Sequence, residues 1–179
     1  MFETERLILR KIDGRDAAAI FAMRGDREMM RFIREPQNRA ETDNWIKLVS
    51  SRWQSEKIGF CAVVEKSSNE FAGWCGLWRL TETGETEIGY AVAKKFWRRG
   101  YATEAARRIL QYGFDELGLD KIVAVTRPEN VASRRVMEKL GMKFDYVGDF
   151  YEQDLAHYSV TKKEFLQFLQ TKNCSDVEL

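Results

Sequence analysis

One stretch decides the fold: Glu87-Ile88-Gly89-Tyr90-Ala91-Val92-Ala93-Lys94-Lys95-Phe96-Trp97-Arg98-Arg99-Gly100-Tyr101-Ala102-Thr103-Glu104-Ala105-Ala106. An apolar run with strand character passes through a basic turn into a segment that begins with small residues. The first backbone N–H groups of a helix lack intrahelical partners, and the helix dipole adds partial positive charge there. Gly100 and Ala102 leave room for a ligand beside that backbone, and Arg98 and Arg99 add positive charge. The stretch therefore predicts a phosphate-binding turn at a helix start.

The same turn also fits two other interpretations. A helix start that follows a solvated basic turn would show the same pattern, and neither a Walker A loop nor a G-x-G-x-x-G fingerprint is present. The basic and aromatic residues 94–99 are also typical of nucleic-acid contacts. However, Lys+Arg 29 against Asp+Glu 28 gives a formal net charge of only +1. Nucleic acid is therefore an unlikely partner.

The residues on either side of this stretch predict a mixed sheet. Apolar runs with strand character dominate the first half, and helix alternates with strand after residue 100. The predicted strands are Arg6–Arg10, Gly59–Val64, Phe71–Leu80, Glu85–Val92, Lys121–Thr126, Phe144–Phe150 and Ala156–Thr161. The predicted helices are Asp16–Arg24, Ala40–Trp53 (capped by Thr42 or Asp43), Thr103–Leu117, Val131–Leu140 and Lys162–Gln170. This order indicates an α/β (α+β) fold with helices on the faces of the sheet.

A second informative segment surrounds the helix that begins near residue 131. Asn130 and Ser133 lie at its start, where a plain N-cap and a first-turn hydroxyl would also be expected. Ala132, Val136 and Leu140 recur every four residues and predict a buried stripe. Gly118 and Gly141 follow the two later helices, as left-handed C-cap residues do.

Composition indicates a folded, cytoplasmic protein with one domain over residues 1–179. Hydrophobic residues make up 44% and charged residues 32% of the 179 positions, which argues against disorder. Cys61, Cys75 and Cys174 form no C-x-x-C pair, and His157 is the one histidine, so neither a disulfide framework nor a metal site is expected. No signal sequence or membrane-spanning apolar run is present, so no membrane association is expected.

Together these segments resemble the GNAT superfamily of acyl-CoA-dependent N-acetyltransferases. The nearest branch contains the ribosomal-protein N-terminal (alanine/serine) acetyltransferases. The resemblance rests, in family order, on Thr4-Glu5-Arg6-Leu7-Ile8-Leu9-Arg10, Glu87-Ile88-Gly89-Tyr90, Trp97-Arg98-Arg99-Gly100-Tyr101-Ala102-Thr103-Glu104-Ala105, Asn130-Val131-Ala132-Ser133 and Glu138-Lys139-Leu140-Gly141-Met142. Trp97 stands where the family's loop usually has Gln or Arg. The resemblance implies a mixed, mostly antiparallel central sheet of about seven strands.

The resemblance further implies acetyl-CoA as cosubstrate and no metal. Residues 98 to 103 would hold the pyrophosphate, and the backbone of β-strand residues 90–92 would pair with pantetheine. Asn130 would also bind pantetheine, and Arg134 or Arg135 would reach the 3′-phosphate. The implied cofactor-binding residues are Ala91, Val92, Arg98, Arg99, Gly100, Tyr101, Ala102, Thr103, Asn130, Arg134 and Arg135.

The implied reaction is direct attack of a substrate amine on the acetyl thioester. It needs a neutral amine, a stabilised carbonyl oxyanion and a proton for the thiolate. Ser133 is the candidate proton donor, and a backbone N–H near Val92 is the candidate oxyanion donor. Glu87 could act as a base through water or could be structural. Tyr90 and Tyr158 are candidate hydrogen-bonding residues near the acceptor, whereas His157 is expected to be a packing or surface residue.

The acceptor site has less motif content than the donor site. It is expected from residues 25 to 55 and from the strands after Gly141, where Trp53, Trp74, Trp78 and Phe150 could line it or simply form core. A protein N-terminus or a small-molecule amine remains open as acceptor, and so does a homodimer. The alternative function is a non-catalytic acyl-CoA-binding regulatory module.

Overall fold

The computed structural model describes residues 1–175, and side chains as far as residue 171. Its strands are β1 (Phe2–Glu3), β2 (Leu7–Lys11), β3 (Phe60–Glu65), β4 (Glu70–Arg79), β5 (Thr86–Val92), β6 (Lys121–Thr126), β7 (Lys143–Phe150) and β8 (Gln153–Thr161). Its helices are α1 (Ala17–Arg24), α2 (Arg27–Met30), α3 (Arg39–Ser55), α4 (Tyr101–Asp115), α5 (Val131–Glu138) and α6 (Lys162–Ser175).

The eight strands hydrogen-bond in the order β1-β2-β3-β4-β5-β6-β8-β7. β5 and β6 pair in parallel at Glu87 and Val123, whereas β6 with β8 and β7 with β8 are antiparallel. The mixed, mostly antiparallel sheet is therefore confirmed. The strand beyond the seven predicted is β1, whose two residues pair with Leu9 and Ile8 of β2.

The chain divides into two compact units. The first contains Met1–Trp78 and Ile88–Ile109, and the second contains Arg79–Glu87 and the residues from Leu110 onward. In the first unit, the buried residues of β2 alternate with half-buried ones, as the period of a strand requires. In the second unit, one buried cluster consists of Leu80, Val123, Phe150 and Leu155. The single domain over residues 1–179 stays a prediction.

The short helix α2 is absent from the sequence prediction, and several boundaries and one buried face of the predicted helices differ from it. Helix α3 begins one residue earlier than predicted because Asn38, rather than Thr42 or Asp43, forms a capping box with Glu41. Helix α4 begins at Tyr101, directly after the Gly100 turn. The predicted buried stripe of α5 is wrong at its start, because Ala132 is exposed and Met137 is buried instead.

The two predicted glycine C-caps are confirmed. Gly118 follows α4 with a φ of +67°, and Gly141 follows α5 with a φ of +79°. Both angles lie in the left-handed region that glycine adopts without a Cβ penalty.

Gly73 fixes the spacing between β4 and the end of β5. A Cβ added there would lie 2.0 Å from the carbonyl oxygen of Ala91, and its φ of +151° is one that L side chains rarely adopt. We expect Gly73→Ala to lower the free energy of unfolding by roughly 1–3 kcal/mol, because the strands must separate. Urea denaturation measures this loss. Gly14→Ala is the matched control, since nothing lies within 4 Å of its added Cβ; an equal loss in both variants would contradict the explanation.

None of the helices in residues 1–175 is long and apolar enough to cross a membrane. Across the same described residues, no group of three or more His, Cys, Asp or Glu could hold a metal ion.

Candidate active site

The basic turn leads directly into α4, as the sequence predicts. Gly100 has a φ of +81° and Arg98 a φ of +62°, so the chain turns sharply just before the helix. The first helical hydrogen bond runs from the N–H of Glu104 to the carbonyl of Gly100, 3.0 Å away. The N–H groups of residues 101 to 103 precede this bond and lie at the positive end of the helix dipole. This is the geometry of an anion-binding helix start.

The N-terminal segment holds this turn in position. One carboxylate oxygen of Glu104 accepts hydrogen bonds from the Thr4 hydroxyl (2.6 Å) and from the Arg6 backbone N–H (2.9 Å). The guanidinium of Arg6 pairs with the other oxygen at 2.6 Å. Burial alone would raise the pKa of Glu104, but these hydrogen bonds lower it. Thr4, Arg6 and Glu104 therefore form one hydrogen-bonded cluster, which holds the N-terminal segment against the start of α4.

The side chains of the turn differ in what they can offer a ligand. Arg98 is exposed, whereas Arg99 pairs with Glu65 at 3.3 Å. Tyr101 is buried with its hydroxyl on Glu65, and this hydrogen bond raises the pKa of the phenol. Only the backbone of Tyr101 could therefore contribute to a phosphate site. Ala102 and Thr103 are half-buried.

Most of the basic charge in residues 94–99 is balanced by carboxylates. Lys94 pairs with Asp26 at 2.8 Å and with Glu28 at 2.6 Å, and Lys95 pairs with Glu70 at 2.7 Å. These pairs lower the positive charge that the segment could present to a nucleic acid.

Trp97 connects the turn to the end of β5. Its indole Nε1 donates to the carbonyl oxygen of Val92 over 2.6 Å. The residue that departs from the family's usual Gln or Arg thus has a structural contact. This bond uses the carbonyl oxygen of Val92. An oxyanion needs hydrogen-bond donors, so the backbone N–H groups at the end of β5 are the candidates for that role.

Gly89 makes room for a neighbouring side chain. A Cβ at this position would lie 2.9 Å from Cε1 of Phe60. The close approach at Gly89 is therefore made by an aromatic ring of the same unit. The next residue, Tyr90, is half-buried.

In the second unit, Asn130 is the N-cap of α5. Its side-chain oxygen accepts the N–H of Ser133 over 3.2 Å. This arrangement uses the carboxamide oxygen, so the amide NH₂ is the group that could donate to a pantetheine carbonyl. The Ser133 side chain is half-buried in the first turn.

The two candidate arginines of α5 lie in different environments. Arg134 donates from Nε to the hydroxyl of Tyr158 (2.9 Å) and from Nη1 to the carbonyl of Pro128 (3.2 Å). Arg135 is exposed. Tyr158 is itself buried, so it acts as the partner of Arg134 within this unit.

Glu87 has a partner that the sequence does not predict. The Tyr151 hydroxyl donates to its Oε1, and the backbone N–H of Tyr151 donates to Glu82 over 2.5 Å. Tyr151 (φ +52°) and Glu152 (φ +59°) form the two-residue turn between β7 and β8, where both positions require positive φ. Neither residue is glycine or asparagine, so this turn stores backbone strain. Glu87 is 9% exposed, and Tyr151 covers it.

His157 is a buried, hydrogen-bonded residue rather than a surface one. Its Nδ1 lies 3.0 Å from Asp145 and its Nε2 3.3 Å from Glu85. The rings of Tyr146 and Phe150 stack on it, at centroid distances of 4.9 and 5.5 Å. This supports the packing role predicted for it.

The two described cysteines are buried thiols, as predicted. Burial raises the pKa of Cys61 to about 12 and raises that of Cys75 well above its usual range, so neither forms a thiolate readily. The side chain of Cys174 lies outside the described residues.

The aromatic residues proposed for the acceptor site fall into three groups. Trp53 is buried and donates to the Phe60 carbonyl over 2.9 Å. Trp74 and Trp78 belong to a ring cluster in the first unit, whereas Phe150 is core of the second.

Comparisons with known proteins agree with this geometry. YoaA, an uncharacterized N-acetyltransferase of Bacillus subtilis (strain 168), is 32% identical over 146 residues, which cover 80% of this chain and 82% of YoaA. YdaF of the same organism, which its name assigns provisionally to the ribosomal N-acetyltransferases, is 24% identical over 90% of this chain and 94% of its own. The crystal structure of a GNAT-family acetyltransferase from Bacillus anthracis matches with a TM-score of 0.78 and 27% identity, over 90% of this chain and 98% of its own.

The family model described as the acetyltransferase (GNAT) domain matches residues 6–143, which include the N-terminal motif from Arg6 onward, the Gly100 turn and the whole of α5. The resemblance drawn from the motifs is thereby confirmed, and this chain belongs to the GNAT acetyltransferase family.

Proposed function

We propose that this protein transfers an acetyl group from acetyl-CoA to a primary amine, by direct attack of the amine on the thioester. The observation that carries the proposal is the Gly100 turn, which opens α4 with the N–H groups of residues 101–103 outside the helical ladder. Backbone donors at a positive helix end suit the pyrophosphate of acetyl-CoA. Membership of the GNAT family supports the same donor.

The donor would be held by backbone more than by side chains. The pyrophosphate binds residues 98 to 103, where Arg98 has an exposed guanidinium. Pantetheine pairs with the backbone of Ala91 and Val92, and the NH₂ of Asn130 donates to one of its carbonyls. The 3′-phosphate binds Arg135, because the guanidinium of Arg134 is committed to Tyr158 and Pro128.

In the reaction, the amine nitrogen forms a bond to the carbonyl carbon, and the carbon–sulfur bond then breaks. The Val92 N–H stabilises the oxyanion between these two steps. The amine proton passes through water to Glu87. The departing thiolate accepts a hydrogen bond from the Ser133 hydroxyl and takes its proton from that hydroxyl, which water reprotonates, or from water directly. Tyr151 holds the Glu87 carboxylate, while Tyr90 lies on β5 as a further hydrogen-bonding residue near the acceptor.

Release of free CoA thiol from acetyl-CoA across a panel of amines and N-terminal peptides tests this function. Turnover on at least one acceptor is the expected result. Saturable binding of acetyl-CoA in calorimetry without turnover on any amine would instead support the non-catalytic regulatory module.

Glu87→Gln is expected to lower kcat roughly 10- to 100-fold and to remove the rise of rate with pH, because an amide cannot accept the amine proton. The pH dependence of kcat checks this. Glu82→Gln is the matched control, since Glu82 also accepts from Tyr151 but through the backbone N–H. A lower melting temperature of Glu87→Gln with unchanged kcat would make Glu87 structural.

The acceptor amine is a protein N-terminus or a small-molecule amine. A cytoplasmic location and a homodimer remain predictions from the sequence.

A further inference from the structure

Four aromatic rings form a connected cluster in the first unit, which we call the ring cluster. It consists of Trp45 from α3, Phe60 from β3, and Trp74 and Trp78 from β4. Trp45 lies 5.6 Å from Phe60 and 5.5 Å from Trp74, and Phe60 stacks on Trp78 at 5.6 Å. Trp45, Phe60 and Trp78 are only partly buried. The cluster therefore presents ring surface to a ligand.

Arg24, at the end of α1, is a cation buried against this cluster. Its guanidinium carbon lies 4.1 Å from the centroid of Trp45 and 5.8 Å from that of Trp74. Its Nε donates to the side-chain oxygen of Gln37 over 2.7 Å. Only 3% of the residue is exposed, and its Nη2 is buried with no hydrogen-bond partner among the described residues. Leaving a buried donor without a hydrogen-bond partner is unfavourable, because its lost hydration is not replaced.

No carboxylate forms an ion pair with Arg24 in the described part of the chain. Burial, with a smaller contribution from repulsion by Arg34, lowers the pKa of Arg24 to about 9, against an opposing effect of Glu41. Arg52, on the same cluster, is the contrasting case. Its guanidinium lies 4.2 Å from the Trp78 centroid, and Glu56 pairs with it at 3.6 Å. Arginine is almost never fully buried unless it is paired, so Arg24 requires an anion from elsewhere.

We propose that Arg24 binds a carboxylate on the amine acceptor, whose body lies across the ring cluster. A carboxylate supplies one negative charge to one buried cation, whereas a dianionic phosphate would leave a buried charge uncompensated. It also accepts the N–H of Nη2 in a charge-assisted hydrogen bond.

The spacing within the cluster defines the kind of acceptor. Phe60 lies against Gly89 of β5, Trp45 lies against Phe60, and Arg24 lies against Trp45. By this route two rings lie between β5 and Arg24, and Trp74 of β4, whose centroid lies 5.8 Å from the guanidinium carbon, gives a second route through one ring. An acceptor whose amine reaches β5 therefore carries its carboxylate at the far end of an apolar spacer, and a compact α-amino acid is too short. This inference rests on the proposed function, because it assigns the acceptor of that reaction.

The test uses a series of ω-amino carboxylates of increasing length, each paired with the alkylamine of the same length. For wild type, kcat/KM is expected to be roughly 10- to 100-fold higher for the carboxylate than for its neutral partner, at one optimal length. Arg24→Met is expected to reduce that ratio to about 1. Arg52→Met is the matched control and is expected to keep the ratio, since it removes a cation from the same cluster that already has a carboxylate partner.

Three results would overturn the proposal. One is equal kcat/KM for the paired acceptors with wild type, and another is an unchanged ratio in Arg24→Met. The third is a larger gain for an ω-amino phosphonate than for the carboxylate.

A second measurement does not depend on turnover or on a variant that folds. Across the same length series, the melting temperature of the wild-type protein should rise with an ω-amino carboxylate of one length and not with the alkylamine of that length. If no amine is acetylated but this stabilisation is seen, the proposed function fails and the Arg24 site stands. If amines are acetylated without any preference for the carboxylate, the proposed function stands and the Arg24 site fails.

Discussion

Gly100→Val is expected to weaken acetyl-CoA binding by about 100-fold or more. The valine side chain would enter the space through which the pyrophosphate reaches the N–H groups of residues 101–103. Each charge-assisted hydrogen bond lost there is worth roughly 1.5–3 kcal/mol, so loss of one or two reaches this magnitude. Isothermal titration calorimetry with acetyl-CoA measures the change directly.

The variant also strains the backbone, so it needs a control with the same strain. Gly118 has a φ of +67°, close to the +81° of Gly100, and nothing lies within 4 Å of a Cβ added to it. Gly118→Val should therefore lose stability in the same way without a change in acetyl-CoA affinity. Unchanged affinity in Gly100→Val, or equal losses in both variants, would refute the pyrophosphate role of the turn.

Ser133→Ala is expected to lower the single-turnover rate by roughly 10²–10⁴-fold with little change in acetyl-CoA affinity. The hydroxyl would no longer donate to the departing thiolate. The cap of α5 should survive, because Asn130 accepts the backbone N–H of Ser133, which alanine retains. Rapid-quench kinetics and thermal melting of the same variant separate chemistry from stability.

The matched comparison for this serine is Ser133→Thr, which keeps a hydroxyl and should recover most of the rate. Asn130→Ala removes the cap and should cost about 1 kcal/mol of stability. If Ser133→Ala melts at a lower temperature but reacts at the wild-type rate, the proton comes from water or a tyrosine instead.

Local patterns in the sequence predict the fold and the donor turn well. The order of strands and helices follows from apolar periodicity, and Gly118 and Gly141 mark two helix ends because a left-handed residue is needed there. The turn at Gly100 is predictable because it too needs a residue in the left-handed conformation, which glycine adopts readily. The cap of α3 was missed because Asn38 and Glu41 act as a pair, which a search for one capping residue overlooks.

Features made by residues far apart in the chain could not be predicted. Tyr151 contacts Glu87 across 64 positions, from a turn without the usual glycine or asparagine. Arg24 is unpaired only because the fold buries it without a carboxylate, which composition cannot reveal. The exposure of Ala132 at the start of α5 likewise depends on tertiary packing. An apolar repeat predicts a helix and its apolar face, but not how far along the helix that face is covered by the rest of the protein.

The hydrogen-bonded cluster of Thr4, Arg6 and Glu104 also affects the order in which parts of the protein fold during synthesis. Its hydrogen bonds join residues 98 and 100 positions apart, so the N-terminal segment must wait for its partner to leave the ribosome. Contacts of such separation form late, because the intervening chain must first lose its conformational freedom. A nascent chain that stops short of Glu104 therefore lacks the finished anion-binding turn, which is completed only after residue 104 has been synthesised and has joined the opening segment.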